Sequence, residues 1–317
     1  MDDTVTDRTQ YVYGPVPSRR LGRSLGVDLI PFKTCTYDCI YCQLGRTTNL
    51  TVRRDEYVPV DAVVADVERR LAELDTPPDY VTLAGSGEPT LHSRLGDLAA
   101  AIRRRTDVPL AVLTNGSLLS EPAVADALAE VDLVVPSLDA GTAAMWRRVN
   151  RPHPDLDWET MLGGMERFAH RFAGEVWLEV MILKGLTDTE SDVSAIAMLA
   201  RRLRPDRIQL NTAVRPAAEE DVAAVARDRL ETLAARFDPP AEVVAEFREA
   251  AEGAGAATVE EVLALLRRRP CSARDVADGL GIAPNEALKV LDELIADGRA
   301  TALRRDGGVF YQVLEGP

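Results

Sequence analysis

The chain has 317 residues, of which 46% are hydrophobic and 28% charged, and its formal net charge is −14 at pH 7. This composition is typical of a globular protein with one large and one small domain. The acidic balance argues against attraction of the whole molecule to nucleic acid or to anionic membranes. The polar N-terminal segment and the lack of a long apolar run predict neither a targeting peptide nor a membrane helix, so we expect a cytoplasmic protein.

Short apolar segments alternate with amphipathic ones through the first two thirds of the chain. We predict strands at 24–30, 80–84, 109–114, 133–139, 176–183 and 207–211. Apolar residues with helical spacing predict helices at 60–74, 95–105, 121–130, 158–172 and 191–202, with Ser120 and Ser191 as N-caps. Apolar strands separated by helices indicate an α/β fold with a parallel sheet covered on both faces. Both an open doubly wound sheet and a full or partial β/α barrel fit this pattern.

The pattern changes after Pro216. We predict helices at 222–234 and 241–251, and the small residues at 253–258 predict a linker. Further helices at 260–268, 273–280 and 284–297 precede two extended runs joined by Asp306-Gly307, a hairpin signal. Three helices and a hairpin are typical of the winged-helix variant of the helix-turn-helix. We therefore predict two domains, at 1–252 and 257–317.

Three of the four cysteines, Cys35, Cys39 and Cys42, form a C-x3-C-x2-C segment, and Cys271 lies far from them. Such a cluster in a cytosolic chain indicates metal binding more than a disulfide framework. Three thiolates can ligate three irons of a [4Fe–4S] cluster, in which four cysteines are the usual ligands. The fourth iron is then left for a ligand from outside the chain.

Structural zinc and buried free thiols are the alternatives for this segment. Zinc sites use C-x2-C pairs or add histidines, and His92, His153 and His170 do not show that spacing. We expect His92, on the loop after the second strand, to be a surface residue, and Cys271 to be buried filler.

With Tyr41 just before its last cysteine, the C-x3-C-x2-C segment resembles the signature of the radical S-adenosylmethionine (SAM) superfamily, and the resemblance spans about residues 14–216. It implies a partial (β/α)6 barrel in which the methionine amino and carboxylate groups of SAM chelate the fourth iron. It further implies that the cluster donates one electron to SAM, and that the resulting 5′-deoxyadenosyl radical abstracts hydrogen from a substrate. A flavodoxin- or ferredoxin-type electron donor is implied as well.

The resemblance extends to the polar residues that follow the strands. Gly85-Ser86-Gly87-Glu88-Pro89 stands where the superfamily has the Gly-Gly-Glu motif that holds the SAM ammonium, a group that needs hydrogen-bond acceptors. For Glu88 the alternative is a turn carboxylate that caps the next helix. The next strand ends are similar to ribose- and carboxylate-contacting positions, and turn or capping roles are the alternative there. The implied cofactor-binding residues are Tyr41, Gly85, Gly87, Glu88, Asn115, Ser137 and Asp139. Glu179, on the fifth strand, could point into the barrel.

Arginines precede and follow the cysteine segment. Arg19, Arg20 and Arg23 are candidates for bidentate binding of a substrate phosphate or carboxylate, with ordinary ion pairing as the alternative. The nearby arginines that would extend this patch, if they meet it in space, are Arg46, Arg53 and Arg54. A positive mouth on an acidic protein would favour an anionic substrate.

Longer segments around 13–42, 86–92 and 207–212 resemble a branch of the superfamily that is grouped loosely with tRNA wyosine-synthesis and nitrogenase-cofactor-assembly enzymes. Those families use additional cysteines, whereas only Cys271 remains here, which argues for one cluster and against those particular reactions. The substrate stays open among RNA, a protein and an anionic metabolite.

A second hypothesis is an Fe–S redox-sensing regulator that binds DNA through the winged helix. Its candidate recognition helix offers Lys289 against Glu286, Asp292 and Glu293, a poor charge balance for nucleic acid. This hypothesis also leaves residues 85–89 unexplained, so we favour the enzyme.

Overall fold

The computed structural model describes residues 11–18, 20–244, 258–280, 282, 284–305 and 308–314. The strands are β1 (Val12–Ser18), β2 (Gly22–Val27), β3 (Thr34–Cys35), β4 (Asn49–Leu50), β5 (Tyr80–Leu83), β6 (Leu110–Thr114), β7 (Leu133–Pro136), β8 (Glu175–Ile182), β9 (Arg207–Thr212), β10 (Glu242–Val243), β11 (Cys271–Ser272), β12 (Ala300–Arg305) and β13 (Gly308–Val313). The helices are α1 (Val60–Ala72), α2 (Leu95–Arg103), α3 (Pro122–Ala127), α4 (Ala143–Val149), α5 (Trp158–Arg171), α6 (Glu190–Leu203), α7 (Arg227–Ala234), α8 (Val259–Leu266), α9 (Ala273–Leu280) and α10 (Pro284–Ala296), and a 3-10 turn covers Pro89–Leu91.

The large sheet has the strand order β1-β2-β5-β6-β7-β8-β9-β10. Strand β1 is antiparallel to β2, and every later neighbouring pair is parallel. The six predicted strands correspond to β2 and β5 to β9, so the predicted α/β fold with a parallel sheet is confirmed. Because the strand order follows the chain without reversal, the sheet is a partial barrel and not a doubly wound sheet, whose order reverses at a switch point.

The helices differ from the predictions mainly at their ends. Thr189 caps α6 by accepting a hydrogen bond from Asp192 N (3.1 Å), whereas the predicted cap, Ser191, lies inside the first turn. Ser120 does not cap α3; it packs so closely against α5 that a Cβ on Gly164 would lie 2.5 Å from Ser120 Cα. Helix α4 has no counterpart among the predicted helices, since seven residues are too few for a clear period.

The predictions for 222–234 and 241–251 are wrong in part. Residues before α7 are extended, because Val225 N donates to Thr212 Oγ1 (2.9 Å) and Ala224 bridges Leu183. The second segment begins as strand β10, where Val243 pairs with Leu210 at the sheet edge. The rest of that segment, 245–251, lies outside the described residues.

Apolar strand residues and the apolar faces of the helices form one large core. Leu25, Leu83, Leu110, Val134 and Leu178 are fully buried on successive strands. Helices α1, α2, α5 and α6 each bury one apolar face. Burial of this kind stabilises a fold by about 25 cal/mol per Å² of apolar surface, and here it fixes the strand ends that carry the polar loops.

The C-terminal unit (258–314) has a separate core. Helices α8, α9 and α10 pack with a three-stranded antiparallel sheet of order β11-β13-β12. Two predicted features lie outside the described residues: the turn at Asp306-Gly307 and the domain boundary at 252–257. The winged-helix assignment stays a prediction. No helix among the described residues is long and apolar enough to cross a bilayer.

Candidate active site

The cysteine loop follows β2 and is held from two sides. On one side, Ile40 N donates to Val149 O (3.0 Å), which ties the loop to the end of α4. On the other, Thr34 forms a parallel bridge with Gly87. A Cβ on Gly87 would lie 1.8 Å from Thr34 O, so only glycine allows this approach. The loop and residues 85–87 therefore form one surface, which we call the cysteine wall (residues 35–42 and 85–87).

The cysteine wall faces a cavity of about 420 Å³ at the C-terminal ends of the strands. Part of the cavity lining comes from residue 215, after β9, and from residues 268 and 269, just after α8. We call this part of the lining the arginine wall; it consists of Arg215, Arg268 and Arg269. Of the predicted site residues, those that line the cavity are Arg20, Cys35, Cys39, Tyr41, Cys42, Gly85 and Gly87, together with Glu179.

Two amide side chains donate to cysteine sulfurs. Asn115 Nδ2 lies 3.6 Å from Cys35 Sγ, and Asn150 Nδ2 lies 3.5 Å from Cys39 Sγ. Burial, together with the negative charge of Glu88, raises the pKa of the Cys35 thiol to about 12. Without a bound cation the cavity therefore favours the neutral thiol, and the donors alone do not offset burial.

This chemistry fits a [4Fe–4S] cluster. A metal deprotonates its thiol ligands outright, and irons would supply the positive charge that the buried sulfurs lack. Among the described residues, no three His, Cys, Asp or Glu side chains converge on a single ion. A cluster does not require such convergence, because each cysteine binds a different iron. Cys35, Cys39 and Cys42 thus fit a cluster better than a zinc ion.

Glu88 is buried behind the cysteine wall and does not line the cavity. Its Oε1 accepts from Thr90 N (3.1 Å), Thr90 Oγ1 (2.6 Å) and Thr114 Oγ1 (2.6 Å), and its Oε2 accepts from Asn115 N (2.7 Å). Burial raises the pKa of the Glu88 carboxyl, and these hydrogen bonds oppose the shift. The side chain joins residues 87–90 to the end of β6, and its predicted contact with the SAM ammonium stays a prediction.

Asp139 is also buried and lies outside the cavity lining. Its carboxylate accepts from the Tyr41 hydroxyl, from Asn150 Nδ2 (2.8 Å) and from Met181 N (3.0 Å). Burial raises the pKa of Asp139 to about 6, and these three donors oppose the rise. Asp139 therefore orients Tyr41, whose ring does reach the cavity.

Ser137 and His92 both lie outside the cavity lining. Ser137 is partly buried at the end of β7, where it bridges Glu179, and does not line the cavity. The expectation that His92 is a surface residue is wrong: it is fully buried, and its Nε2 lies 2.9 Å from Val58 O. That buried bond follows from the close packing of the residue 89–91 turn against the loop before α1.

The predicted arginines divide into several environments. Arg20 forms an ion pair with Glu179 inside the cavity, and Asn211 Nδ2 donates to the same carboxylate (2.9 Å). Arg23 is exposed and does not line the cavity, and Arg19 lies outside the described residues. The remaining three do not extend a positive mouth, because their guanidiniums bind nearby carboxylates or carbonyls; these are Arg46, Arg53 and Arg54.

The arginine wall is absent from the sequence-based site. Arg215 forms a buried ion pair with Asp275 of α9 (2.7 Å). Arg268 pairs with Asp28 (3.0 Å), and its guanidinium lies 3.5 Å from the centre of the Tyr13 ring. The only sequence signal for it is the arginine run at 267–269, which lies in the separately predicted small domain. No sequence pattern indicated Asn150 either, because it follows α4, a helix that was not predicted.

Asp28 connects the two walls. Its carboxylate accepts from Ser86 N (3.0 Å) and from the Ser86 hydroxyl, while also pairing with Arg268. A Cβ on Gly85 would lie 2.5 Å from Asp28 Cγ, so Gly85 allows the carboxylate to reach residue 86. The C-terminal unit thus contacts the loop at 85–89 through one carboxylate.

Comparison with known proteins identifies the family. A family model described as the radical SAM superfamily matches residues 29–197. A UPF0026 protein of Methanocaldococcus jannaschii is 34% identical over 308 residues, covering 94% of this chain and 94% of the relative. A protein of Brachyspira hyodysenteriae named GTPase Obg is 34% identical over 310 residues and covers 96% of this chain, but the chain spans only 45% of that relative.

A solved structure shows the same fold. The radical SAM methyltransferase from Sphaerobacter thermophilus superposes with a TM-score of 0.55 at 17% identity, covering 70% of this chain and 66% of that chain. Superfamily members are enzymes that bind a [4Fe–4S] cluster and SAM, so these two cofactors, expected from the cysteine spacing, are confirmed for the family. The chain therefore belongs to the radical SAM superfamily and, within its relatives, to the UPF0026 proteins.

Proposed function

We propose that this enzyme abstracts hydrogen from a substrate that binds in the cavity between the barrel and the C-terminal unit. The main observation in support is the shared cavity of about 420 Å³, which both the cysteine wall and the arginine wall line. Enzyme ligand sites are typically concave and of this size. Chemistry in β/α barrels also takes place at the C-terminal ends of the strands, where this cavity lies.

The cysteine wall holds the cofactors in this proposal. Cys35, Cys39 and Cys42 would ligate three irons of the cluster, and SAM would bind the fourth. A reduced cluster bound there would supply the electron for cleavage of SAM to methionine and a 5′-deoxyadenosyl radical. Asn115 and Asn150 donate to the sulfurs of Cys35 and Cys39, which favours the more negative, reduced state of the cluster.

The loop at 85–89 positions SAM. Backbone groups of Gly85 and Gly87 line the cavity and are the proposed contacts of the SAM ammonium. Glu88 contributes from outside the cavity lining, because its four hydrogen bonds fix the path of the loop backbone. Tyr41, oriented by Asp139, is the proposed contact on the opposite side of the cluster.

The C-terminal unit closes the cavity in this proposal. The DNA-binding regulator is not favoured, because Lys289, the only basic residue of α10, is paired with Glu286 (2.6 Å). DNA affinity requires neutralisation of phosphates by basic residues, and the same helix carries Asp292 and Glu293. We therefore assign the unit to substrate enclosure.

The test is anaerobic reconstitution of the cluster, reduction by a flavodoxin or ferredoxin, and measurement of 5′-deoxyadenosine and methionine. We expect slow cleavage alone and faster cleavage with a fraction of cell extract that contains the substrate. Absence of cleavage with a full cluster and with metabolite, peptide and RNA fractions would contradict the enzyme. DNA binding at low salt that changes on cluster oxidation would instead support the regulator.

A further inference from the structure

The cavity lining is strongly basic although the chain is acidic. The described lining residues include one carboxylate, Glu179, and five basic side chains: Arg20, Lys33, Arg215, Arg268 and Arg269. Arg20 pairs with Glu179. Arg215 and Arg268 pair with Asp275 and Asp28, which do not line the cavity. Among the described residues, the basic side chains of the lining therefore outnumber its carboxylates.

Arg269 carries the unbalanced charge of the arginine wall. The carboxylates of Asp28 and Asp275 lie within 3.0 Å of Arg268 and Arg215, respectively, and Arg269 has no ion-pair partner among the described residues. Its side chain is half-buried, so bulk water does not fully screen it. Among the described residues, the ion pairs of this wall therefore bring the carboxylates of Asp275 and Asp28 to Arg215 and Arg268, and none to Arg269.

Arg269 and Arg215 are close enough to repel each other. Burial lowers the pKa of Arg215, and the positive charge of Arg269 lowers it further, against the opposing effect of Asp275. Like charges held together in a cavity wall raise the free energy of the empty site. An anion that bound between them would relieve this repulsion, and guanidiniums suit the planar oxygens of carboxylates and phosphates.

We propose that Arg269, supported by Arg215 and Arg268, binds an oxyanion of the substrate, a carboxylate or phosphate, in the cavity of the proposed enzyme. This inference rests on the proposed function, because it names the chemical class of that enzyme's substrate. The bound oxyanion lies against the arginine wall, and the rest of the substrate extends toward the cysteine wall, where the radical forms.

The test measures oxyanion binding without catalysis. Inorganic phosphate, and separately acetate, is titrated into oxidised, cluster-loaded protein without reductant, and phosphate binding is followed by 31P NMR. The variant Arg269→Gln removes the unpaired charge. Arg267→Gln is the matched control, because Arg267 is exposed, lies two residues away and does not line the cavity.

We expect Arg269→Gln to raise the Kd for phosphate about tenfold or more, since loss of a hydrogen bond to a charged group weakens binding by at least about that factor. Arg267→Gln should leave the Kd unchanged, and Arg269→Lys should retain part of the affinity. Equal affinity in the wild type and Arg269→Gln, or equal losses in Arg269→Gln and Arg267→Gln, would overturn the proposal.

A second titration, with SAM already bound, distinguishes the substrate from the cofactor's own carboxylate. Retained phosphate binding would support a substrate oxyanion, whereas displacement of phosphate by SAM would assign the arginine wall to SAM and overturn the proposal. Because no reductant is present, failure of SAM cleavage would not affect this result. The two proposals can therefore fail independently.

Discussion

The cysteine wall and the arginine wall face the same cavity but are stabilised by different interactions. Around the cysteine wall, neutral donors such as Asn115 and Asn150 and close backbone contacts at Gly87 hold the loop. The arginine wall depends on ion pairs between distant parts of the chain, and Arg268 and Asp28 are 240 residues apart.

The difference indicates a division of labour. Neutral donors direct hydrogen bonds at the sulfurs without adding net charge, which suits a cofactor whose own irons supply the positive charge. Guanidiniums do add charge, which suits recognition of an anionic group. The arginine wall should therefore depend directly on the C-terminal unit's ion pairs, whereas these pairs affect the cysteine wall through Asp28, which also binds Ser86.

The largest expected effect tests the cysteine wall itself. Cys39→Ala removes one proposed iron ligand, and we expect complete loss of SAM cleavage together with loss of bound iron. Both are measured on anaerobically reconstituted protein. Cys271→Ala is the control, because Cys271 is buried in the C-terminal unit and lines no part of the cavity. Cleavage at the wild-type rate by Cys39→Ala would refute the ligand assignment.

The next largest effect tests the arginine wall. Asp275→Asn leaves buried Arg215 without its carboxylate, and loss of one partner of a buried pair costs about 3–5 kcal/mol. We expect faster hydrogen–deuterium exchange of α9 amides, which reports local opening. Glu286→Gln breaks an exposed pair in the same unit and should cost less than about 1 kcal/mol.

The same pair predicts a pH dependence. Burial raises the pKa of Asp275, but Arg215 and the hydrogen bonds from Ser272 together outweigh burial and hold that pKa below its ordinary value of 3.8. The stabilisation is therefore complete above 3.8 and is lost as the pH falls through the lowered pKa. The exchange difference between the wild type and Asp275→Asn should be constant near neutral pH and shrink below this range. A difference that persists undiminished at low pH would refute the ion-pair explanation.

A smaller effect tests the link between the walls. Asp28→Asn weakens the hydrogen bonds from Ser86 and the ion pair with Arg268. We therefore expect the Kd for SAM to rise about tenfold, the effect of losing one hydrogen bond to a charged group. Equilibrium dialysis with the oxidised protein measures this Kd. Asp79→Asn is the control, since Asp79 binds Arg23 N at the other end of β2. Equal SAM affinity in Asp28→Asn and the wild type would mean that the walls act independently.

The smallest effect concerns the sulfurs. Asn115→Ala removes a donor to Cys35 Sγ, and we expect the reduction potential of the cluster to become more negative by about 40 mV, the equivalent of about 1 kcal/mol for one electron. Asn49→Ala serves as the control, because Asn49 donates to Thr34 beside the loop and not to sulfur. Protein-film or dye-mediated titration would detect the shift, and equal potentials in the two variants would refute a role for Asn115 at the sulfur.

The sequence by itself was sufficient for the parallel sheet and the cofactors. Apolar strand segments and amphipathic helices have local periods, and the spacing of Cys35, Cys39 and Cys42 is a local pattern as well. The sequence could not show that Glu88 is buried outside the cavity lining, because the burial of a side chain depends on what packs around it. It likewise missed Asn150, which reaches Cys39 from the end of a short helix.

The tertiary structure decided which residues line the same cavity as the cysteines. Arg215, Arg268 and Arg269 come from segments with no shared motif, and they meet only because the C-terminal unit packs against the barrel. Arg20, a predicted anion ligand, instead pairs with Glu179, a partner 159 residues away. Local patterns encode the cofactor chemistry, because its ligands lie within eight residues of each other; the charges around the substrate depend on long-range packing, which no local pattern records.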